Sequence, residues 1–181
     1  MKYFVLYKND LKNLNINDEV INKVNDFKIE KEESKIAYSY LLYLLQIRYN
    51  INIKELEVCY SEKGKPYFKN NIIFFNISHS KDYIALVIDD KECGIDIEYN
   101  DQNRNFDLLV KKVLNEKENI QYKNSDNKVD YFYRMWTKKE AYFKKTGEGI
   151  NFSNLNNDAN LNEVKTLILE NEKDIYYISI A

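Results

Sequence analysis

The chain has 181 residues, of which 44% are hydrophobic, 14% aromatic and 31% charged, a composition typical of globular proteins rather than disordered or membrane-spanning ones. Its 27 basic and 29 acidic residues leave a net charge of -2, which argues against binding nucleic acid through bulk positive charge. Cys59 and Cys93 form no CxxC pair, and the longest apolar runs are too short to cross a bilayer. We therefore expect a cytoplasmic protein with no disulfide framework and no membrane or nucleic-acid partner.

The first half of the chain is predicted to combine several short strands with one long helix. Residues 2–8 are apolar and favour a strand, and residues 9–17 indicate a loop from which Asn17 or Asp18 caps a short helix. Apolar side chains recur every three or four residues over residues 31–49, which predicts an amphipathic helix. Further strands are expected over residues 56–60, 72–76, 83–89 and 94–99, with a turn at residues 62–66.

The second half is predicted to mix helix and sheet in the same way. After a polar stretch at residues 100–105, apolar spacing predicts a helix over residues 106–114, and the polar residues 123–130 are the least structured in their pattern. A helix rich in aromatic residues follows over 131–146 and ends at Gly147, a typical C-terminal capping glycine. Strands are expected over residues 164–169 and 175–180, so the fold class is α+β without strict βαβ alternation.

The segment Gly94-Ile95-Asp96-Ile97-Glu98 places two carboxylates on one face of a strand. Their Cα atoms would lie roughly 6–7 Å apart, because a strand rises ~3.3 Å per residue. Both side chains could then reach one hard cation or its bound waters. The alternative is a half-buried strand with a solvated acidic face.

The helical segment from Trp136 to Lys144 adds a third carboxylate, Glu140, with Lys139 before it and Lys144 four residues after it. A carboxylate among lysines suits a metal-bridged polyphosphate, since the acid binds Mg²⁺ and the lysines neutralise the remaining oxygens. The alternatives are an ordinary i,i+4 ion pair between Glu140 and Lys144 and a core position for Trp136.

Two turn-like segments carry groups suited to anions. The segment from Asn76 to Lys81 lies between predicted strands and combines Ser78, His79, Ser80 and a lysine, a set that can bind a phosphate monoester. A polar hairpin loop without a ligand explains this segment equally well. Gly64-Lys65-Pro66 is a weaker signal, because many turns contain these residues.

In this order, the four segments resemble motifs of the 4′-phosphopantetheinyl transferase superfamily. The matching text is Gly64-Lys65-Pro66, Phe75 to Ser80, Gly94 to Glu98, and Trp136 to Lys144. The third motif lies at mid-chain, which resembles the Sfp-type (surfactin-synthetase-activating) branch. That resemblance implies a monomer of two similar α+β lobes in a pseudo-dimeric arrangement, residues 1–93 and 94–181, with the active site in the cleft between them.

The resemblance implies an enzyme that transfers phosphopantetheine from coenzyme A to a serine of an apo acyl or peptidyl carrier protein and releases adenosine 3′,5′-bisphosphate. It implies that Asp96, Glu98 and Glu140 bind Mg²⁺, with Mn²⁺ as a possible substitute, and that Glu140 and Lys144 act in catalysis. Coenzyme A would contact Ser78 and His79 at its 3′-phosphate, Lys65 on its adenine side, and Lys139 and Lys144 at its pyrophosphate.

Three other functions are open from the sequence. The first is an inactive module that binds coenzyme A or a carrier protein, which would not need the intact set of acids and lysines. The second is a magnesium-dependent phosphohydrolase, which would form product without a carrier. The third is an α+β protein with a purely structural role.

Overall fold

The computed structural model describes residues 1–11, 14–149, 155 and 159–181. The first half contains strands β1 (Lys2–Tyr7), β2 (Val58–Tyr60), β3 (Pro66–Phe68), β4 (Phe74–Ser80) and β5 (Tyr83–Asp89), and helices α1 (Lys8–Leu11), α2 (Asp18–Asp26) and α3 (Glu32–Tyr49). The second half contains strands β6 (Ile95–Tyr99), β7 (Lys165–Glu170) and β8 (Ile175–Ile180), and helices α4 (Phe106–Val113), α5 (Glu116–Asn124) and α6 (Lys128–Thr146). The fold is therefore α+β, as the sequence predicts.

Both halves share one strand order. In the first half β5 lies between β1 and β4, and in the second half β8 lies between β6 and β7, with antiparallel pairing throughout. In each half, a long helix, α3 or α6, lies in the chain between the first and second strands of its sheet. Each half also has an apolar core, one built on α3 and the other on α6.

The two sheets meet where β4 runs beside β6. Side-chain oxygens of β4 accept hydrogen bonds from the backbone of β6: Asn76 Oδ1 from Ile95 N at 3.0 Å and Ser80 Oγ from Tyr99 N at 3.0 Å. Polar side chains thus replace the backbone ladder at this junction. The side chains of Ile95 and Ile97 lie on one face of β6 and pack into an apolar core that the two sheets share.

Several predicted elements differ in the structure. Asn76 to Ser80 lie within β4 and not in a loop, so only two residues separate β4 from β5. Part of the expected 9–17 loop is helical in α1. The capping pair Asn115 and Glu118 begins α5, a helix that the sequence interpretation missed. Because α5 ends at Asn124 and α6 begins at Lys128, the segment predicted to be unstructured shortens to the link between these helices.

Two predicted helix ends are confirmed. Asn17 caps α2 by accepting a hydrogen bond from Val20 N, and Gly147 ends α6 in the left-handed conformation with its N–H bonded to Phe143 O. None of the helices in the described part of the chain has the length and apolarity needed to span a bilayer.

Gly94 allows the start of β6 to lie directly against α6. A Cβ atom at this position would be 2.0 Å from Ala141 O and 2.6 Å from Lys145 N. Both of these are backbone atoms of a helix, which cannot rotate away. The absence of a side chain at Gly94 therefore sets the spacing between the carboxylates of β6 and the polar face of α6.

We expect Gly94→Ala to destabilise the protein more than Gly64→Ala, as measured by urea unfolding. The first change forces β6 and α6 apart, and overpacking of this kind costs about 1–3 kcal/mol or more. In Gly64→Ala the added Cβ atom would meet no atom within 4 Å. Its cost comes only from a side chain at a backbone φ of 83°, about 1–2 kcal/mol. Equal or reversed effects would contradict a close approach at Gly94.

Candidate functional site

A polar cluster lies between β4, β6 and α6. Asp96 is only 2% exposed, so a solvated acidic face is excluded. Its Oδ1 atom accepts hydrogen bonds from Lys144 Nζ at 2.7 Å and from Ser78 Oγ at 2.9 Å. Lys144 Nζ also lies 4.0 Å from Glu140 Oε2, one helical turn away on α6. One lysine thus faces two of the predicted metal-binding carboxylates.

The third predicted carboxylate, Glu98, has a partner of its own. Arg104 Nη2 donates a hydrogen bond to Glu98 Oε2 at 3.1 Å. The guanidinium carbon of Arg104 lies 5.7 Å from the ring centroids of both Tyr133 and Trp136. Sequence interpretation missed Arg104, because it lies in a polar stretch outside the recognised motifs.

Two carboxyl groups of the cluster, those of Glu98 and Glu140, resist ionisation. Burial, and then the charge of Asp96, raise the pKa of Glu98 to about 7 and that of Glu140 to about 8. Burial would lower the pKa of Lys144, but the charges of Asp96 and Glu140 outweigh it and raise that pKa. If all three carboxyl groups were ionised, their three negative charges would exceed the two positive charges of Lys144 and Arg104.

We expect the metal-free protein to lose stability as pH rises from about 5 to 8. The unfolded chain releases the protons of both glutamates near their ordinary pKa of 4.5, whereas the folded state holds them to about 7 and about 8. The folded state thus binds more protons in this window, and its free energy of unfolding falls with increasing pH. Urea unfolding with a chelator present measures the slope.

The matched control is the double variant Glu98→Gln/Glu140→Gln, which cannot release these protons. It should show a flatter dependence of unfolding free energy on pH than the parent protein. Parallel curves for the two proteins would contradict the raised pKa values.

A cavity of about 380 Å³ adjoins the cluster. Its walls come from α3, the β2–β3 hairpin, β4 and the C-terminal end of α6, so both halves contribute. Lys144 lies at its boundary with the carboxylate cluster. Its other basic side chains are Lys63, Lys65 and His79, and its apolar side chains include Ile29, Tyr38, Pro66, Ile77 and Phe143.

The structure separates Ser78 from His79, which the sequence assigned to one phosphate. Neighbouring residues of a strand point to opposite sides, so both side chains cannot face the same ligand. His79 lines the cavity, and its Nδ1 lies 3.5 Å from Glu33 Oε2. Ser78 instead belongs to the carboxylate cluster, where its hydroxyl contacts Asp96 and Lys144.

Lys65 lies in the cavity wall. Its ammonium group already has two partners, the carboxylate of Glu92 and the backbone oxygen of Lys145 at 2.7 Å. Lys65 thereby ties the β2–β3 hairpin to the end of α6.

Lys139 points away from both the cluster and the cavity, contrary to the sequence prediction. Its side chain is fully buried, and Nζ donates to Val113 O at 2.8 Å, Glu118 Oε2 at 2.6 Å and Leu155 O at 2.6 Å. The three acceptors among the described residues already match the three ammonium hydrogens, so Lys139 has no proton to offer a phosphate. Its placement makes it a structural ion that joins α5 to α6.

The residues present fit a divalent cation by their chemistry. Asp96 Oδ2 is buried and has no hydrogen-bond partner among the described residues, and Mg²⁺ favours such hard oxygen donors. Positive charge would also favour the ionised forms of Glu98 and Glu140. Within residues 1–11, 14–149, 155 and 159–181, no three acidic, histidine or cysteine side chains are already gathered as a metal centre.

The chain is similar in sequence to known proteins of one superfamily. Residues 92–179 match the family profile of the 4′-phosphopantetheinyl transferase superfamily. The chain is 32% identical over 147 residues to a Haemophilus influenzae protein assigned provisionally as a 4′-phosphopantetheinyl transferase. The matched region covers 74% of this chain and 62% of that protein.

Two further relatives carry the same enzyme name. The 4′-phosphopantetheinyl transferase AcpT of Escherichia coli K12 is 39% identical over 95 residues, 50% of this chain and 49% of AcpT. The 4′-phosphopantetheinyl transferase psf-1 of Bacillus pumilus is 26% identical over 141 residues, 76% of this chain and 59% of psf-1. The matches thus span about half to three fifths of the length of these relatives.

Proposed function

Because residues 92–179 form a domain of the 4′-phosphopantetheinyl transferase superfamily, we propose that this protein transfers phosphopantetheine from coenzyme A to a serine of an apo carrier protein. Adenosine 3′,5′-bisphosphate is the other product. The position of Lys144 is the observation that carries the proposal, since it lies at both the carboxylate cluster and the basic cavity. A pyrophosphate at this boundary would meet the cation-binding acids on one side and a lysine on the other.

The cavity has the chemistry of a coenzyme A site. Lys63 and Lys144 supply positive charge for the phosphates, and the imidazole of His79 supplies a hydrogen-bonding group. Apolar side chains such as Tyr38 and Phe143 supply surface for the adenine ring. We assign His79 to the 3′-phosphate and Lys65 to the adenine side. Ser78 acts on the cluster side, where it orients Asp96 and Lys144.

In the reaction, the carrier serine oxygen bonds to the phosphorus next to the pantetheine arm, and the bond from that phosphorus to the bisphosphate oxygen breaks. Glu140, directly or through a water that it orients, takes the serine proton. Glu140 accepts this proton in its ionised form, which a bound cation would favour, whereas burial in the metal-free protein raises its pKa to about 8 and favours the protonated form. Lys144 stabilises the negative charge that develops on the leaving oxygen.

Asp96, Glu98 and Glu140 would hold Mg²⁺ or Mn²⁺ beside the pyrophosphate. When bound, the cation withdraws charge from the phosphate oxygens and makes the phosphorus more open to attack. Asp96 is preset for this role, since Ser78 and Lys144 fix its Oδ1 atom while Oδ2 has no partner among the described residues.

We also propose the Sfp-type branch, with lobes of residues 1–93 and 94–181 and a cytoplasmic monomer. The repeated strand order of the two halves supports the lobes. The walls of the cavity come from both halves of one chain, so a second copy is not needed to complete the site. Light scattering after size-exclusion chromatography tests the monomeric state.

The test is the intact mass of an apo acyl or peptidyl carrier protein after incubation with this protein, coenzyme A and Mg²⁺. A mass increase by one phosphopantetheine, lost when a chelator replaces Mg²⁺, is the expected result. Coenzyme A binding without a mass increase on several carriers would instead indicate an inactive binding module. Release of adenosine 3′,5′-bisphosphate without any carrier would indicate a phosphohydrolase.

A further inference from the structure

Arg104 contacts the carboxylate cluster through Glu98. It donates to Glu98 Oε2 at 3.1 Å, and Glu98 is 19% exposed while Arg104 is 31% exposed. Arg104 lines no wall of the cavity described above. Glu98 is thus the carboxylate of the cluster that Arg104 contacts directly.

The structure holds Arg104 in place by contacts on both its side chain and its loop. Its guanidinium lies 5.7 Å from the ring centroids of Tyr133 and Trp136, two residues of α6 that are themselves buried. The hydroxyl of Tyr133 accepts from Asp101 N at 2.9 Å and donates to Asp101 O at 3.0 Å. The loop that carries Arg104 is thus fixed to the same helix that carries Glu140 and Lys144.

We propose that Arg104 is a positioning residue that fixes the carboxylate of Glu98 for cation binding, an inference that rests on the metal site of the proposed function. Glu98 has several side-chain torsions, and one oriented hydrogen bond from a stacked guanidinium restricts them. Partners that orient a metal-binding side chain typically change metal affinity by about 10–100-fold when removed. The charge of Arg104 opposes a nearby cation, but its partial exposure lets water screen that repulsion.

This role gives Trp136 a function beyond the core. Trp136 begins a segment that resembles a superfamily motif, and the structure packs it among apolar residues of the second half. Its ring also forms one of the two surfaces against which Arg104 lies. Trp136 therefore connects the apolar core to the orientation of Glu98.

The experiment measures Mn²⁺ affinity by electron paramagnetic resonance of the free ion, without coenzyme A or a carrier. We expect Arg104→Gln to weaken Mn²⁺ binding about tenfold and to leave the thermal midpoint of the metal-free protein close to that of the parent. Arg104→Lys should recover only part of the affinity, because an ammonium group lacks the planar shape that stacks on two rings.

Arg134→Gln is the matched control. Arg134 pairs with Asp130 at 2.8 Å and lies 5.9 Å from the ring centroid of Tyr177, so it has the same kinds of contact away from the cluster. Its Mn²⁺ affinity should equal that of the parent.

The outcomes separate this inference from the proposed function. If the parent binds Mn²⁺ and Asp96→Asn does not, the site exists, and an unchanged affinity in Arg104→Gln would overturn only the role of Arg104. Full recovery by Arg104→Lys would likewise overturn positioning in favour of a charge effect. Failure of the parent protein itself to bind Mn²⁺ would overturn the metal site and this inference together.

Discussion

Asp96→Asn is expected to lower phosphopantetheine transfer by about a hundredfold or more while the chain stays folded. Asp96 Oδ2 is the buried oxygen without a hydrogen-bond partner among the described residues, so it is the atom most available to a cation. The amide has nearly the same shape and can still accept from Lys144 through its oxygen. The amide nitrogen carries only donors, and it cannot bind a divalent cation.

The same substitution should change the stability of the metal-free fold much less than it changes activity, because Lys144 keeps Glu140 beside it while one negative charge leaves a crowded cluster. The charge of Asp96 contributes to the raised pKa of both Glu98 and Glu140, and its loss lets these pKa values fall toward their ordinary range. Activity and stability should therefore change separately, which distinguishes a functional acid from a structural one.

Intact mass of the carrier protein measures the transfer rate of Asp96→Asn, and circular dichroism checks the fold. Asp90→Asn is the control, since Asp90 is an exposed acid in the connection between β5 and β6. It makes the same chemical change outside the cluster and should keep the parent rate. Normal turnover by Asp96→Asn in the presence of Mg²⁺ would rule out Asp96 as a metal-binding residue.

The local features of the site could be predicted from the sequence. Strand periodicity predicts that Asp96 and Glu98 share a face, and helix periodicity predicts that Glu140 and Lys144 share one. What joins these two faces is the close contact of Gly94 with the backbone of α6. A glycine at the start of a strand is visible in the sequence, but the helix that it touches is not.

The features that could not be predicted depend on tertiary contacts. Lys139 and Lys144 have the same charge and lie on one helix, yet one is a buried ion in the second half and the other faces the cluster. Ser78 and His79 were assigned to a loop, because their polar character resembles that of a turn. Both polar groups are tolerated in β4 because they point to opposite sides of the strand. The Ser78 hydroxyl accepts a hydrogen bond from Ile97 N of β6, and the His79 imidazole lines the cavity.

One missed element did have a local signal. Asn115 and Glu118 form reciprocal hydrogen bonds with each other's backbone at the start of α5, a capping box that the spacing of these residue types can indicate. The weak apolar pattern of α5 concealed it, since none of its residues is fully buried. Glu118 also pairs with Lys139, so the cap of α5 and the register of α6 are connected.

Lys139→Met is expected to lower the free energy of unfolding by about 3–5 kcal/mol, the usual cost of removing one partner from a buried ion pair. Glu118 would lose the ammonium at 2.6 Å, and the carbonyls of Val113 and Leu155 would lose their donor. Urea unfolding measures the loss. Lys138→Met, at a half-buried position next to it on the same helix, should change stability by less than about 1 kcal/mol.

The double variant Lys139→Met/Glu118→Gln decides the cause of that loss. The amide oxygen of Gln can still accept from Asn115 N and keep the cap of α5, while the uncompensated charge is gone, so part of the lost stability should return. If Lys139 instead neutralised coenzyme A phosphates, Lys139→Met would be as stable as the parent and would mainly raise the KM for coenzyme A. We expect the unstable fold and not weaker coenzyme A binding, because Lys139 Nζ donates to buried acceptors and does not line the cavity.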